Sequence, residues 1–349
     1  MRILVRSTNW VGDCVMSLPA LRSLRAGHPD AHLAVHCRPS VADLYRLRPE
    51  VDEVLVEDSR GEHAGLAGRE RFARDLAGKH FDLAVVLPRS FDSAWVPFRA
   101  GIPRRIGYRG ELRSPLLTRA LPFRPSPGEH ESFRHLRLAE AAGGATAAAS
   151  ALPDVSWSVG EAESRGGKAR LAEAGWDGSP FVAAHLASFA HAAKRWDFVR
   201  FAALFDRLAV EEGLSVVLLG SAGEKGVNRE AASLLRTAPV LDLSGRTSLP
   251  EVLGILSNAS LFVGNDSGIS HLSGSVGTPT VVVFGPTDPE GTRPWDGPRG
   301  DGRPSRVALV RRPPLCAPCR FRVCPIDHAC MKAVAVEDVL AACRGVRPE

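Results

Sequence analysis

The sequence predicts an α/β protein in two halves, each a parallel sheet covered by helices. Three observations point there. Short apolar runs alternate with amphipathic stretches along most of the 349 residues, the pattern of strand–helix–strand units. One run, LAVVL at 83–87, is continuously apolar, as a strand covered on both faces requires. The alternation is interrupted once, at residues 140–153 (EAAGGATAAASALP), where Leu152 is the one large apolar side chain. A chain of this length, 44% hydrophobic, is too long for one typical core and suits two domains.

Taken in order, residues 3–5 read as the first strand. Residues 14–26 follow as a helix, with Val15, Leu18, Leu21 and Leu24 at helical spacing. Residues 32–36 and 54–56 read as further strands, and 83–87 as the buried one. The interruption puts the domain junction between residue 140 and about residue 167, giving halves of 1–160 and 161–349. In the second half, strands at 181–185, 216–219, 261–263 and 280–284 alternate with helices at 196–212, 228–236, 248–256 and 269–276. A last helix is expected around 336–343. Two Rossmann-like halves of this kind place ligands at the carboxyl ends of their strands, here in a cleft between domains.

The net charge is +5, and only five of the 44 basic residues are lysine. A mildly basic surface suits phosphate-bearing partners or an anionic membrane face. A plain bias toward arginine gives the same totals. The basic residues are too scattered for a nucleic-acid arm, so no nucleic-acid partner is expected. Residues 1–7 (MRILVRS) read as a strand, not as a signal peptide. Nothing approaches the ~18 apolar residues of a membrane span. A cytoplasmic protein with mostly reduced cysteines is expected.

The most informative stretch is 264–289, GNDSGISHLSGSVGTPTVVVFGPTDP. It opens at the end of a strand. Asn265, Asp266 and Ser267 are all good helix N-caps. Gly268 removes a side chain from the first turn, where unpaired N–H groups and the helix dipole make an anion site. His271 lies in the same turn, able to donate to a phosphate oxygen. A capped helix packed after a strand explains the same residues. Asp266 would repel a diphosphate, so sugar hydroxyls or the backbone suit it better. The turn GPTDP puts Thr287 and Asp288 at the same edge of the sheet.

This stretch resembles the signature of glycosyltransferase family 9, the lipopolysaccharide heptosyltransferases. In that family an N-D-S-G-x-x-H helix start holds the donor's diphosphate, and a G-P-T-D-P turn follows one strand later. Residues 6–19 (RSTNWVGDCVMSLP) resemble the family's N-W-x-G-D-x-V-M start, in the form of the heptosyltransferase II branch. With one glycine they are no dinucleotide fingerprint. Asp13 there is expected at the cap position, either as a plain cap or as the general base the resemblance implies. Residues 193–196 match the family's A-K-R-W, so Lys194 would offset charge on the leaving diphosphate. A surface basic pair beside a packed Trp196 fits the residues equally. The family's Pro-Gly-Ala is replaced by Leu186, Ala187 and Ser188, where Ser188 offers a hydroxyl. Glu224 is a candidate ribose contact. Residues 105–118 resemble a family loop of the acceptor side, so their arginines are candidates for acceptor phosphates or carboxylates.

The resemblance implies the GT-B fold, an ADP-L-glycero-β-D-manno-heptose donor and a lipid A-core acceptor at the inner membrane surface. It also implies an inverting reaction with no required cofactor. The protein would be a monomer that can attach at the inner face of the inner membrane, with a last helix that could cross back to the first domain. Another sugar or acceptor within the family, or a non-catalytic nucleotide-sugar binder, are the alternatives. Cys316, Cys319, Cys324 and Cys330 form a C-x2-C-x4-C-x5-C run around His328. Their spacing fits either a structural metal or reduced thiols packed in a loop.

Overall fold

The structure is a computed structural model. It describes all residues except 125, 127, 147–152, 189–191, 296, 298–305, 320, 348 and 349. Contacts divide the chain into two compact units, Met1–Val155 and Ser156–Glu349. Residues 147–152 of the expected junction lie outside the described residues.

The first unit runs β1 (Arg2–Arg6), α1 (Val11–Met16), α2 (Leu18–Gly27), β2 (His32–Cys37), α3 (Pro39–Arg46), β3 (Glu53–Val56), α4 (Gly65–Ala77), β4 (Leu83–Val86), α5 (Phe91–Arg99), β5 (Arg104–Tyr108), β6 (Arg119–Leu121) and α6 (Glu131–Ala141). Its six strands are parallel, in the order β3-β2-β1-β4-β5-β6. Ile3, Leu4 and Val5 are fully buried, as are Leu83, Ala84, Val85 and Val86. This is why both runs read as continuously apolar.

The second unit begins with α7 (Glu161–Glu173) and β7 (Phe181–His185). It continues α8 (Phe198–Glu212), β8 (Ser215–Leu218), α9 (Lys225–Ala232), β9 (Val240–Asp242), α10 (Leu249–Asn258), β10 (Leu261–Asn265) and α11 (Gly268–Val276). Then come β11 (Thr280–Phe284), α12 (Pro289–Thr292), β12 (Val307–Arg311), α13 (Ala329–Lys332) and α14 (Val336–Val346). The strand order β12-β11-β10-β7-β8-β9 is the first unit's order read from the other edge. Both are the Rossmann order, 3-2-1-4-5-6.

Three sequence expectations change. The single helix at 14–26 is two helices meeting at Ser17. Pro19 has no N–H for the Val15 carbonyl and cannot continue the first helix's ladder; at the joint the Ser17 hydroxyl donates to the Cys14 carbonyl at 2.7 Å. The 105–118 segment opens as strand β5 rather than as loop. The last helix stays with its own unit. Val339, Leu340, Cys343 and Val346 of α14 join the second unit's core with Val281, Val283 and Val310, against α8, β11 and β12.

Candidate functional site at the second switch point

In a doubly wound sheet, ligands bind where successive crossovers diverge to opposite faces. In the second unit that point lies between β7 and β10, and the side chains the motif singled out gather there. The two strands approach closely because Gly264 pairs with His185. A Cβ at 264 would sit 2.7 Å from the His185 carbonyl oxygen, so no side chain fits.

Asp266, only 6% exposed, accepts from Lys194 Nζ at 2.6 Å and from Thr287 Oγ1 at 2.7 Å. Side chains from three separate segments of the chain thus meet at one carboxylate oxygen. Lysine has three N–H donors, so Lys194 keeps donors for an incoming anion while Asp266 holds it in place. Breaking a pair this buried leaves an uncompensated charge.

Ser267 is the N-cap of α11, and Gly268 is its first residue. Asn265 and Asp266 are therefore not the cap that the sequence allowed them to be. Asn265 ends β10 and acts as a clamp. Its amide donates to the Leu186 carbonyl at 2.7 Å and accepts from the Trp196 N–H at 2.9 Å. One buried side chain so ties both ends of the loop that carries Ser188 and Lys194. Ser188 is buried at that loop's start. His271 is also buried, in the first turn of α11. Asp288 caps the short α12 by accepting from the Glu290 N–H at 3.1 Å.

His185 was not among the sequence candidates. It ends β7 and is 5% exposed. Its Nδ1 lies 3.0 Å from Ser267 Oγ, and its Nε2 lies 3.5 Å from Glu224 Oε2. Glu224 also accepts from the Ser221 N–H at 2.7 Å and the Ser221 hydroxyl at 2.8 Å. Burial pushes the Glu224 carboxyl up, but His185 and the Ser221 donors outweigh it and hold the group at about 2. The imidazole joins the helix start to the Glu224 loop. The available signal was a lone titratable residue closing an otherwise apolar strand, FVAAH.

At the first unit's switch point, between β1 and β4, Asp13 lies in the first turn of α1. The N-cap is Trp10, so Asp13 sits three residues into the helix rather than at the cap, because the backbone turns helical at Val11. The arginines of 105–118 mostly serve their own loops. Arg113 is fully buried. It donates to the Tyr108 carbonyl at 2.9 Å, to Ser93 Oγ at 2.9 Å and to the Pro88 carbonyl. Arg105 Nε donates to the Leu116 carbonyl at 2.7 Å. Burial keeps Arg113 from an acceptor, and Arg105 is engaged with its own loop.

All four cysteines of the C-terminal run are free, and they line one small cavity with Ala193 and Pro286. Among the described residues, no three His, Cys, Asp or Glu side chains are placed to hold a metal ion. The thiols as arranged do not fit the structural metal that their spacing allowed.

Comparison with known proteins supplies the remaining findings. The model of glycosyltransferase family 9 (heptosyltransferase) matches residues 69–306. Lipopolysaccharide heptosyltransferase 2 of Escherichia coli K12 is 33% identical over 308 residues, covering 84% of this chain and 85% of the relative. The solved E. coli ADP-heptose lipopolysaccharide heptosyltransferase II superposes with a TM-score of 0.81 at 26% identity, covering 99% of this chain and 98% of that one. An E. coli heptosyltransferase solved with ADP-2-deoxy-2-fluoro heptose shares the fold, with a TM-score of 0.68 at 21% identity over 90% and 94% of the two chains. Two Rossmann-like units of this order, in a chain that superposes on these transferases along its whole length, define a glycosyltransferase of the GT-B fold. Within that class, the chain belongs to glycosyltransferase family 9, the heptosyltransferase family.

Proposed function

We propose that this enzyme moves heptose from an ADP-heptose donor to the inner core of lipopolysaccharide, with inversion at the anomeric carbon, as a heptosyltransferase 2. The observation that carries the reading is the convergence of Lys194, Asp266, Ser267 and Thr287 at the second switch point. It occurs in a chain that matches heptosyltransferase 2 over most of its length. In this scheme Asp13 takes the proton from the acceptor hydroxyl as its oxygen attacks the anomeric carbon from the face opposite ADP. The sugar–phosphate bond breaks, and the departing diphosphate gathers its charge against Lys194 and the first N–H groups of α11. Asp266, itself held by Thr287, positions Lys194, and both Asp266 and Thr287 face the sugar. Ser188 and His271 complete the phosphate side, and Glu224 takes the ribose hydroxyls. The chain itself supplies the positive charge, with no cofactor in the scheme.

The enzyme would act as a monomer in the cytoplasm, at the inner face of the membrane that holds its lipid-linked acceptor. No helix among the described residues is long and apolar enough to cross a membrane. The test is to offer ADP-heptose and UDP-sugars with truncated core acceptors and to read products by mass spectrometry. Addition of one heptose with release of ADP is expected. ADP binding without any transfer would turn the protein into a nucleotide-sugar binder and overturn the reading.

A further inference from the structure

Residues 302–326 contain six arginines and no aspartate or glutamate. The second half of this stretch, beyond β12, makes neither helix nor strand among its described residues. Large apolar side chains stand exposed along it. Leu315 is fully exposed, Phe321 is 58% exposed, and Val323 and Ile326 are each 67% exposed. Arg311, Arg312 and Arg322 are exposed among them. Arg312 pairs with Asp338 at 2.6 Å, and the flanking Asp327 pairs with Lys332, so neither acid offsets Arg311 or Arg322.

The inward side is differently made. The four cysteines line a cavity against Ala193 and Pro286, and one edge of the exposed Ile326 reaches the same cavity. Two backbone hydrogen bonds fasten the segment there. The Cys319 N–H donates to the Pro286 carbonyl at 2.6 Å, and the Ala193 N–H donates to the Arg322 carbonyl at 3.1 Å. The anchors adjoin Thr287 and Lys194, so the segment is braced on the two loops that carry the proposed donor contacts.

Four exposed large apolar side chains within twelve residues are rare on a free surface and mark a binding face. Guanidinium groups interleaved with them match phosphate headgroups over acyl chains. This combination of basic heads and apolar wedges is what peripheral proteins place at the headgroup–acyl boundary. We propose that residues 311–319 and 321–326 form a docking surface for an anionic phospholipid bilayer, held beside the proposed donor site by the two backbone anchors. The inference rests on the reading that the acceptor is lipid-linked and deepens it by naming the surface that meets the lipid.

The experiment uses the full chain and co-sedimentation with vesicles of phosphatidylcholine alone or mixed equally with phosphatidylglycerol. Turnover is measured in parallel on a water-soluble, deacylated core acceptor. The expected result is binding to the anionic vesicles, weakened by salt and at least about tenfold stronger than to the neutral ones. The combined variant L315S/F321S/V323S/I326S, and separately R311Q/R322Q, should each lose about tenfold or more of that binding. Both should keep wild-type turnover on the soluble acceptor. Vesicle binding unchanged in folded variants of both kinds would overturn the proposal. So would absence of wild-type binding, or a dimer in solution that the apolar variant dissociates. Loss of turnover on the soluble acceptor in the wild type, with vesicle binding intact, would instead strike the transfer reading.

Discussion

At the scale of single residues, the two ends of the proposed chemistry differ in how they are held. Lys194 is locked by a buried carboxylate that is itself held by Thr287. Asp13 sits in an early helical turn, half-buried. A general base contributes roughly 10²–10⁴-fold, so Asp13→Asn should lower kcat by about that factor. ADP affinity, measured by calorimetry, should stay within about twofold, since the residue lies in the other unit from the proposed diphosphate contacts. Unchanged turnover would remove Asp13 from the scheme. His185 makes a different prediction. His185→Ala should raise the KM for the donor roughly tenfold with a smaller change in kcat, because it withdraws a partner from both Ser267 and Glu224. A KM equal to wild type would show that those two contacts do not shape the donor site.

A second buried histidine sets a pH dependence of stability. His36 is fully buried beside Glu57 at 2.9 Å. Burial and the charge of Arg6 press its pKa from 6.5 down to about 4, against the pull of Glu57. Because the folded value is the lower one, the neutral ring stabilises the fold fully above pH 6.5. That contribution is lost as the pH falls from about 6.5 through 4, on the order of 3 kcal/mol. Urea unfolding at several pH values should show the decline across that window. His36→Gln should flatten it, whereas an unchanged slope in that variant would assign the decline to other groups.

At the scale of elements, the structure explains which parts were readable. The central strands β1, β4, β7, β10 and β11 are buried on both faces and announce themselves as apolar runs. Strands β5 and β6, at one edge of the first sheet, did not. The first residues of β5 are arginines, and β6 has three residues with no buried side chain. Strand β9 is equally short and half-exposed. Helix α7 was hidden for another reason. It buries only Gly167 and Leu171, because it meets α10 backbone to backbone rather than through an apolar stripe. A Cβ at Gly254 would lie 1.9 Å from the Glu163 carbonyl oxygen. Alanine normally favours a helix over glycine by about 1 kcal/mol. Here Gly254→Ala should instead destabilise by roughly 1–3 kcal/mol, and a higher Tm in that variant would contradict the crossing. In the site, the motif's own residues were legible as a set. Their partners were not: Asn265 as a clamp and His185 as a bridge depend on loops distant in sequence.

At the scale of the whole molecule, the cysteines report how completely the two units bury their interiors. Cys14, Cys37 and Cys343 are buried, and burial pushes each thiol up to about 12. Cys316 is exposed. In the folded protein a bulky thiol reagent should modify Cys316 fastest and leave those three untouched until denaturant is added. Mass spectrometry of digests would locate the label. Early modification of Cys343 would mean that α14 detaches readily from its core.

That helix also sets a schedule for biosynthesis. The first unit is one continuous stretch of chain, and it can collapse as soon as its final residues clear the ribosome. The later unit stays open at its floor until residues 336–346 have been made, because those residues seal the interior around Val281, Val283 and Val310. A stall or nick before residue 336 would therefore leave one half finished and the other with a greasy wound, ready for chaperones or proteases.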